Sequence, residues 1–486
     1  MPIIIKTREV HQNMRNVLIY GAGEAGREVL REIKAHPEEG IKVLGFIDDD
    51  DEKKNRIYEG VRVLGGRGIL RDAISTLKVS EIIIAMPSIE KECLRDIVRV
   101  CKAERIKLLI VPSTMDIIEG SVRFDQIKNL DLADLLDREE VKVNTEEIRE
   151  YISGKRVLVT GASGSIGSML VKKIIDYNPE AIIALDFNES GIFGLYREIE
   201  KKRKNTKVVF SVTDIKDYRI LKEVFINQKP QIVFHAAAYK HVPIMENHIK
   251  IAFINNVLGT YNLLRLSLEN KVQRFVGIST DKAVNPVSVM GKTKRICELL
   301  ISAYAKLGLS ARSVRFGNVL GSNGSVLNIF KEQIQRGENL TVTSPEMERF
   351  FMTIDEATEL CLQAGCGKGN GDIFILQMGD PIRIVDLAYN VIILSGLTPG
   401  VDVKIDYTGI RDGEKLKEEL FHKTADVIKS EYNGIYIERI NVQEDYILRF
   451  IKRLQKEVYI LSDIEVLREM EEIIKIHSGA FLETTV

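Results

Sequence analysis

The chain has 486 residues, 45% hydrophobic and 29% charged, a composition that fits a packed soluble protein and excludes disordered and collagen-like chains. At roughly 150 residues per domain this length predicts about three domain-sized units. Lys+Arg 69 against Asp+Glu 70 leaves a net charge of −1, so no basic field draws the whole chain to nucleic acid. Cys93, Cys101, Cys297, Cys361 and Cys366 show neither zinc-type pairing nor a disulfide framework, which fits a reducing cytosol. No apolar run reaches the roughly 18 residues a membrane span needs, and Met1–Arg15 is too short and polar for a signal peptide. A cytoplasmic location is expected.

After a tail over 1–14, Asn16–Tyr20 (NVLIY) reads as a strand leading into Gly21, Gly23 and Gly26 of GAGEAG and the helical REVLREIKAH. A second strand, VLGFIDDD, brings Asp48 in slightly later after Gly21 than the roughly 20 residues usual in a dinucleotide fingerprint. Runs VRVLG, EIIIAMP and KLLIVP then alternate with helical stretches such as KECLRDIVRVCKAE. Residues 15–113 thus predict a parallel sheet covered by helices. Residues 114–153 are charged and amphipathic without a strand rhythm and read as a connector.

The opening pattern recurs further along, where Arg156–Thr160 (RVLVT) leads into TGASGSIG. AIIALD follows and ends at Asp186, again a little beyond the usual spacing from the first glycine, Gly161. VVFSV, QIVFHAAA, RFVGIST and ARSVRFGNVL continue the alternation. The fold class expected is α/β, two tandem doubly wound (Rossmann-like) parallel-sheet domains. The second spans 154–430, with a smaller substrate-facing lobe from about 319 where GSNGS and GCGKGNGD raise the turn content. Residues 431–486 end the chain with two amphipathic helical patterns, read as a lid or an oligomer contact.

In the second glycine turn, Gly161 permits a tight bend, Gly164 lets backbone approach a pyrophosphate, and Gly167 lets the helix pack on the strand. With Ser163, Ser165 and Ile166 this turn opens a helix whose free N–H groups suit phosphates. Asp186 is placed to accept hydrogen bonds from an adenosine ribose, and an acid there disfavours a 2′-phosphate, so NAD is expected over NADP. Asp214 and Ile215 follow the third strand and could reach the adenine edge. The run Ala236, Ala237, Ala238 suits a strand end on which a cofactor lies. Each feature also has a plainer reading: a packing turn, a helix-capping Asp, a buried small-residue run.

The segment Ser279–Lys294, STDKAVNPVSVMGKTK, joins six further ordered stretches: TGASGSIGS, HAAAYKHVPIME, NNVLGTYN, VRFGNVLGSNGSV, TVTSPEMERFFMT and TGIRDGEKL. Together they resemble an extended short-chain dehydrogenase/reductase. More narrowly they are similar to the UDP-N-acetylglucosamine 4,6-dehydratases of the CapD-like polysaccharide-biosynthesis family, over most of Lys155–Leu420. GAGEAGRE, GFIDDD and the connector DLLDREEV resemble that family's first domain. Departures stand at Met169, Ser344 and Asp412. Long members carry membrane helices ahead of the first domain, so this chain is expected to be a soluble form or the cytoplasmic part of an anchored one.

Short-chain dehydrogenases usually place Tyr four residues before Lys; here Met290 precedes Lys294, and a thioether cannot move a proton. Asp281 and Lys282, beside Thr280, supply a carboxyl and an amine instead. The resemblance implies Lys282 as the base at C5 and Asp281 as the acid for the C6 hydroxyl. Thr280 would hold the C4 oxygen, Lys294 the nicotinamide ribose, and Asn256 would lie among the cofactor contacts. Such a lysine needs desolvation or nearby positive charge to act as a base. For the substrate, Arg349 and Arg411 can make the bidentate contacts a diphosphate favours, and Glu414 suits a hydroxyl. Lys240 and Asn318 match positions that the family uses near sugar and phosphates, while His241 stays open. None of the seven histidines clusters with acids or cysteines, so no metal site is expected.

The reading is a UDP-sugar 4,6-dehydratase, retaining configuration at C5 by the family's Met feature, and a homo-oligomer. A UDP-sugar 4-epimerase is the nearest rival, and a non-catalytic dinucleotide sensor or assembly scaffold the other. Without a proton-transfer constellation, the first glycine motif suggests a regulatory or assembly domain.

Overall fold

The computed structural model describes residues 14–86, 89, 91–104, 106–111, 128–129, 141–201, 206–395, 397, 399–422 and 425–477. Most of the expected connector lies outside these residues. The chain divides into two compact units. One comprises Met1–Glu140, Phe330–Leu340 and Asp386–Asp406; the other comprises Val141–Ile329, Thr341–Val385 and Tyr407–Val486.

In the first unit β1 (Arg15–Tyr20), β2 (Ile41–Ile47), β3 (Val61–Gly65), β4 (Glu81–Ile84) and β5 (Lys107–Ile110) form a parallel sheet in the order β3-β2-β1-β4-β5. Two-residue antiparallel strands flank it at Ile57–Tyr58 and Lys128–Asn129. β1 ends in four buried residues and β4 is buried throughout, as strands covered on both faces must be. Helix α1 (Glu24–Ala35) packs down through Val29, Leu30 and Ile33.

The second unit opens with α2 (Thr145–Ile152), whose Ile148 and Ile152 are fully buried. The stretch read as the end of the connector is therefore part of this core. Next come β6 (Arg156–Thr160), α3 (Ser165–Ile174), β7 (Ala181–Asp186), β8 (Lys207–Val212), β9 (Ile232–His235), β10 (Arg274–Thr280), α4 (Val289–Lys306) and β11 (Ala311–Phe316). Beyond these lie α5 (Ile354–Cys366), β12 (Ile373–Leu376), β13 (Val427–Lys429), β14 (Ile435–Glu438), α6 (Glu444–Glu457) and α7 (Asp463–Ile476). The nine strands lie in the order β8-β7-β6-β9-β10-β11-β12-β14-β13, parallel up to β12 and antiparallel for β14 and β13. Strand order reverses between β6 and β9, the switch point at which doubly wound sheets bind ligands.

Past Val319 the chain makes short strand pairs, 318–319 with 351–352 and 348–349 with 382–383, and also returns to the main sheet through β12 and β14. Helices α6 and α7 are not free to act as a lid. Ile447, Phe450, Leu454, Val466, Met470 and Ile473 join the core cluster that contains Ile296, Leu299 and Leu300 of α4. No helix among the described residues is long and apolar enough to cross a membrane.

Candidate active site

The glycine turn of the second unit sits at the switch point. Gly161 has φ +68°, and a Cβ there would lie 2.6 Å from the Ala237 nitrogen. Gly167 supports α3 directly on the turn, since a Cβ on it would fall 2.0 Å from the Gly161 oxygen. Gly164, by contrast, faces open space apart from that same oxygen, 3.2 Å from where its Cβ would be. It is also the N-cap of α3 and supplies no side-chain acceptor, whereas Ser288 caps α4 and Thr353 caps α5. The first amides of α3 are left for another acceptor. Asp186 takes the Ser163 and Asn188 amides on its two oxygens, each at 3.0 Å, which ties the end of β7 to the turn. A cradle that any Cβ would fill, under uncapped amides and beside a carboxylate, fits a dinucleotide.

The other residues expected around a cofactor divide. Ile166 and the run Ala236, Ala237, Ala238 are part-exposed at this strand end. Ser165 Oγ accepts the Asn323 amide at 2.9 Å. Asp214 is part-exposed and bonds the Lys216 amide at 2.9 Å. Ile215 is buried, with its side chain where a Cβ on Gly259 would be. Asn256 departs from expectation. It is 1% exposed, and its amide group bonds both the nitrogen and the oxygen of Tyr239, at 2.8 and 3.0 Å. That side chain braces the turn after β9 and has nothing left to offer a ligand.

At the end of β10, Thr280 caps the single turn Asp281–Ala283 and donates its hydroxyl to Asp281 Oδ1 at 2.8 Å. Lys282 Nζ donates to the same oxygen at 3.0 Å and to Asn318 Oδ1 at 3.0 Å. Four of the residues singled out from sequence thus share one network. Asp281 is 0% exposed and its Oδ2 has no partner, while 19% of the Lys282 side chain is exposed. The group beside Lys282 is the Asp281 carboxylate, with which it forms an ion pair, where a lysine acting as a base needs desolvation or nearby positive charge. Gly291 lets α4 start against this turn, because a Cβ there would lie 2.3 Å from the Lys282 oxygen. Lys294, one helical turn on, donates to the Ile278 carbonyl of β10, and burial holds its ammonium below the ordinary lysine range. Met290 is 4% exposed and packs into the core.

The expected substrate contacts are less uniform. Lys240 and Arg411 are exposed and Glu414 is part-exposed. The exposed His241 ring stands where a Cβ on Gly324 would be. Arg349 is not free for a diphosphate: it is 6% exposed and donates to the Glu348 and Leu416 carbonyls at 2.7 and 3.1 Å. Its terminal nitrogen lies 4.0 Å from Glu418, a buried acid that sequence reasoning missed. Nothing in the EKLKEEL spacing separates Glu418 from its neighbour Glu419, which bonds Asn285 at an exposed position.

Also missed was a buried ionic chain behind the site. Ser279 donates to Glu298 Oε1 at 2.7 Å, Arg315 bonds both oxygens of Glu298 at 2.9 and 2.8 Å and Glu438 at 2.8 Å, and His422 meets Glu438 at 2.7 Å. Burial pushes the Glu438 carboxyl up, but His422 and Arg315 outweigh it and bring it down to about 2. His235, between Thr160 and Thr260 at 2.8 Å each, is brought down to about 3 by burial and then by the Lys294 charge. A cavity of about 620 Å³ lined by Gln377, Met378, Asp380, Phe421, Lys429 and Tyr436 includes none of the acid–base residues. No group of three His, Cys, Asp or Glu among the described residues is arranged to hold a metal.

Compared with known proteins, residues 157–440 match the family model for polysaccharide biosynthesis proteins, more than half of the chain. The chain belongs to that family. Residues 2–112 match a CoA-binding domain model. The capsular polysaccharide biosynthesis protein CapD of Staphylococcus aureus is 40% identical over 86% of this chain and 70% of its own length. The probable polysaccharide biosynthesis protein EpsC of Bacillus subtilis is 41% identical over 90% of this chain and 73% of its own. Among solved structures, Pen from Bacillus thuringiensis is 30% identical with TM-score 0.54, over 59% of this chain and 87% of that one. The chain is thus a CapD-like member of the short-chain dehydrogenase/reductase type.

Proposed function

We propose that this protein is an NAD-dependent nucleotide-sugar 4,6-dehydratase that converts UDP-N-acetylglucosamine to a UDP-4-keto-6-deoxy sugar, with retention at C5, for surface glycan assembly. One observation carries the reading. An acid–amine pair, Asp281 with Lys282, stands at the strand end, and the position where a dehydrogenase would carry its tyrosine holds a buried methionine. The relatives that share most of the chain are polysaccharide biosynthesis proteins, and the fold type and the fitting cradle support the nicotinamide cofactor.

When bound, the nicotinamide accepts the C4 hydride and gives it back at C6. Gly161, Gly164, Gly167 and the first amides of α3 would hold its diphosphate. Asp186 would take a ribose hydroxyl, which argues for NAD, and Lys294 the nicotinamide ribose. Thr280 orients the C4 oxygen. Lys282 passes its own proton along the 3.0 Å bond to Asp281, removes the proton at C5, made acidic by the C4 ketone, and later returns it, while the proton released from O4 restores the pair. Asp281 protonates the hydroxyl leaving C6. Asn318 holds the Lys282 nitrogen in line through its 3.0 Å bond. Arg411, Lys240 and Glu414 remain the contacts for the nucleotide-sugar.

A 4-epimerase needs a base at C4 and no acid at C6, so it leaves the Asp281–Lys282 pair without a task. Incubation with UDP-N-acetylglucosamine decides the matter. A product lighter by one water supports dehydration, unchanged mass with an altered sugar means epimerisation, and cofactor binding without product means a scaffold.

A further inference from the structure

The segment that follows β11 reaches both turns that flank the switch point. Its start is fixed, since the Asn318 and Leu320 amides bond the Phe350 and Met352 carbonyls at 2.9 Å each. Next comes Gly321 at φ +67°, and then a tight turn closed by the Ser325 amide on the Ser322 carbonyl at 2.9 Å. Gly324 takes the third place of that turn at φ +66°, a conformation that favours glycine. The Asn323 amide is spent outside the turn, on Ser165 Oγ of the first residue of α3, at 2.9 Å. Gly324 lies against the His241 ring, whose Cε1 is 2.4 Å from where a Cβ would be. Ser165 belongs to the turn after β6 and His241 to the turn after β9. One loop bridges both.

Gly321, Asn323 and Gly324 are exposed and carry no apolar side chain, so burial does little to hold this loop in place. A loop so lightly held can open at small cost. While it accepts the Asn323 amide, the Ser165 hydroxyl keeps its own hydrogen to donate, beside the uncapped amides of α3. We propose that residues 321–324 form a strap that closes over the diphosphate of the bound dinucleotide and sets how fast the cofactor leaves. Asn323 acts through Ser165 and is a positioning residue. The proposal rests on the cofactor part of the reading above and not on the reaction.

Such a strap suits a cofactor that is restored within each turnover. A dehydrogenase that exchanges its cofactor every cycle would be slowed by it. Where the hydride taken from C4 goes back to C6, the dinucleotide has no need to leave, and slow release costs no turnover. The same stretch of chain also serves the catalytic amine, because Asn318, just upstream of the loop, accepts Lys282 Nζ at 3.0 Å. Retention of the cofactor and placement of Lys282 are thus carried by one segment.

Asn323→Pro tests the strap with little disturbance, because proline suits the second place of this turn and deletes only the amide hydrogen. Release of NAD from the full-length holoprotein is read by trapping the freed cofactor with excess alcohol dehydrogenase and ethanol, as NADH absorbance. Asn323→Pro is expected to release NAD about three- to tenfold faster, the usual weight of one such bond. Ser165→Ala should also speed release, and the double variant should be no faster than Ser165→Ala alone, because both changes remove the same bond. Release from Asn323→Pro at the wild-type rate overturns the strap. So does tighter NAD binding in that variant, which would mean that the loop occupies the cofactor's place. Hydrogen–deuterium exchange of the wild type does not depend on a variant's folding: NAD should slow exchange over residues 321–325, and unchanged exchange there overturns the proposal too. A wild type that binds no NAD in calorimetry removes the cofactor reading and the strap together, whereas NAD that binds but leaves both proteins alike removes the strap alone.

Discussion

Asp281→Asn separates chemistry from structure better than any other change at this site. The two side chains have nearly the same volume, so no cavity opens in a position that is 0% exposed. The Asn oxygen can keep the bonds from Thr280 at 2.8 Å and Lys282 at 3.0 Å. Its NH2 replaces the unpartnered Oδ2, an orphan donor for an orphan acceptor. What disappears is charge: two bonds to an anion become bonds to a neutral acceptor, about 1–3 kcal/mol of stability. The catalytic loss should be larger in kind, because an amide has no proton to give the leaving hydroxyl. Loss of a positioned acid is expected to lower turnover by at least about a hundredfold, roughly 3 kcal/mol of barrier. Product mass gives the rate, and urea unfolding of the same preparation gives the stability. Lys282→Ala should match the rate loss but cost about 3–5 kcal/mol, since it strands a buried carboxylate. A folded Asp281→Asn protein with near-normal turnover would refute the acid role.

Three further outcomes follow from the geometry. Arg315→Met removes the cation between Glu298 and Glu438 and should cost about 3–5 kcal/mol in urea unfolding; a loss under about 1 kcal/mol would mean the two acids find other partners. Gly167→Ala places a methyl 2.0 Å from a backbone oxygen, so NAD affinity measured by calorimetry should fall at least about tenfold, and an unchanged value would contradict the cradle. Acid should destabilise the chain in two stages. His235 and Glu438 both bind protons less readily folded than unfolded, so their contributions are present above the unfolded values of 6.5 and 4.5 and are lost as pH falls toward about 3 and about 2. For Glu438 the loss is about 3 kcal/mol, and a urea midpoint unchanged between neutral pH and pH 3 would exclude both effects.

The two sheets were legible because parallel strands covered on both faces must be continuous apolar runs, and RVLVT, AIIALD, QIVFH and RFVGIST are such runs. The network Thr280, Asp281, Lys282 and Asn318 was legible because three of its members are adjacent in sequence at a strand end. Asn256 and Arg349 were misread for one reason. A polar side chain in a matching motif carries no sign of whether its hydrogen bonds turn outward to a ligand or inward to Tyr239 and Leu416. Glu418 and the Glu298–Arg315–Glu438 chain stayed hidden because their partners stand on other elements far along the chain, and pairing at that range is a product of the fold. The terminal helices α6 and α7 show the same limit. Their apolar faces were evident, but that α4 supplies the covering surface was not.

The same contrast separates the two glycine units chemically. Both bind a turn amide to the acid after the second strand, Ala22 to Asp48 at 2.7 Å and Ser163 to Asp186 at 3.0 Å. What stands around each turn differs. In the first unit Tyr20 donates to Asp49 at 2.6 Å and meets Cys93 at 3.4 Å. Burial pushes both the Tyr20 hydroxyl and the Cys93 thiol up, so each keeps its proton at neutral pH. Burial pushes Asp49 up as well, but the Arg67 amide and the Tyr20 hydroxyl outweigh it and hold the carboxyl below its ordinary range. A cluster of two held protons and one firmly ionised acid has nothing to exchange with a substrate. In the second unit an amine is hydrogen-bonded at 3.0 Å to a buried carboxyl whose other oxygen has no partner, an arrangement across which a proton can move. We therefore propose proton transfer for the second arrangement and binding or assembly for the first.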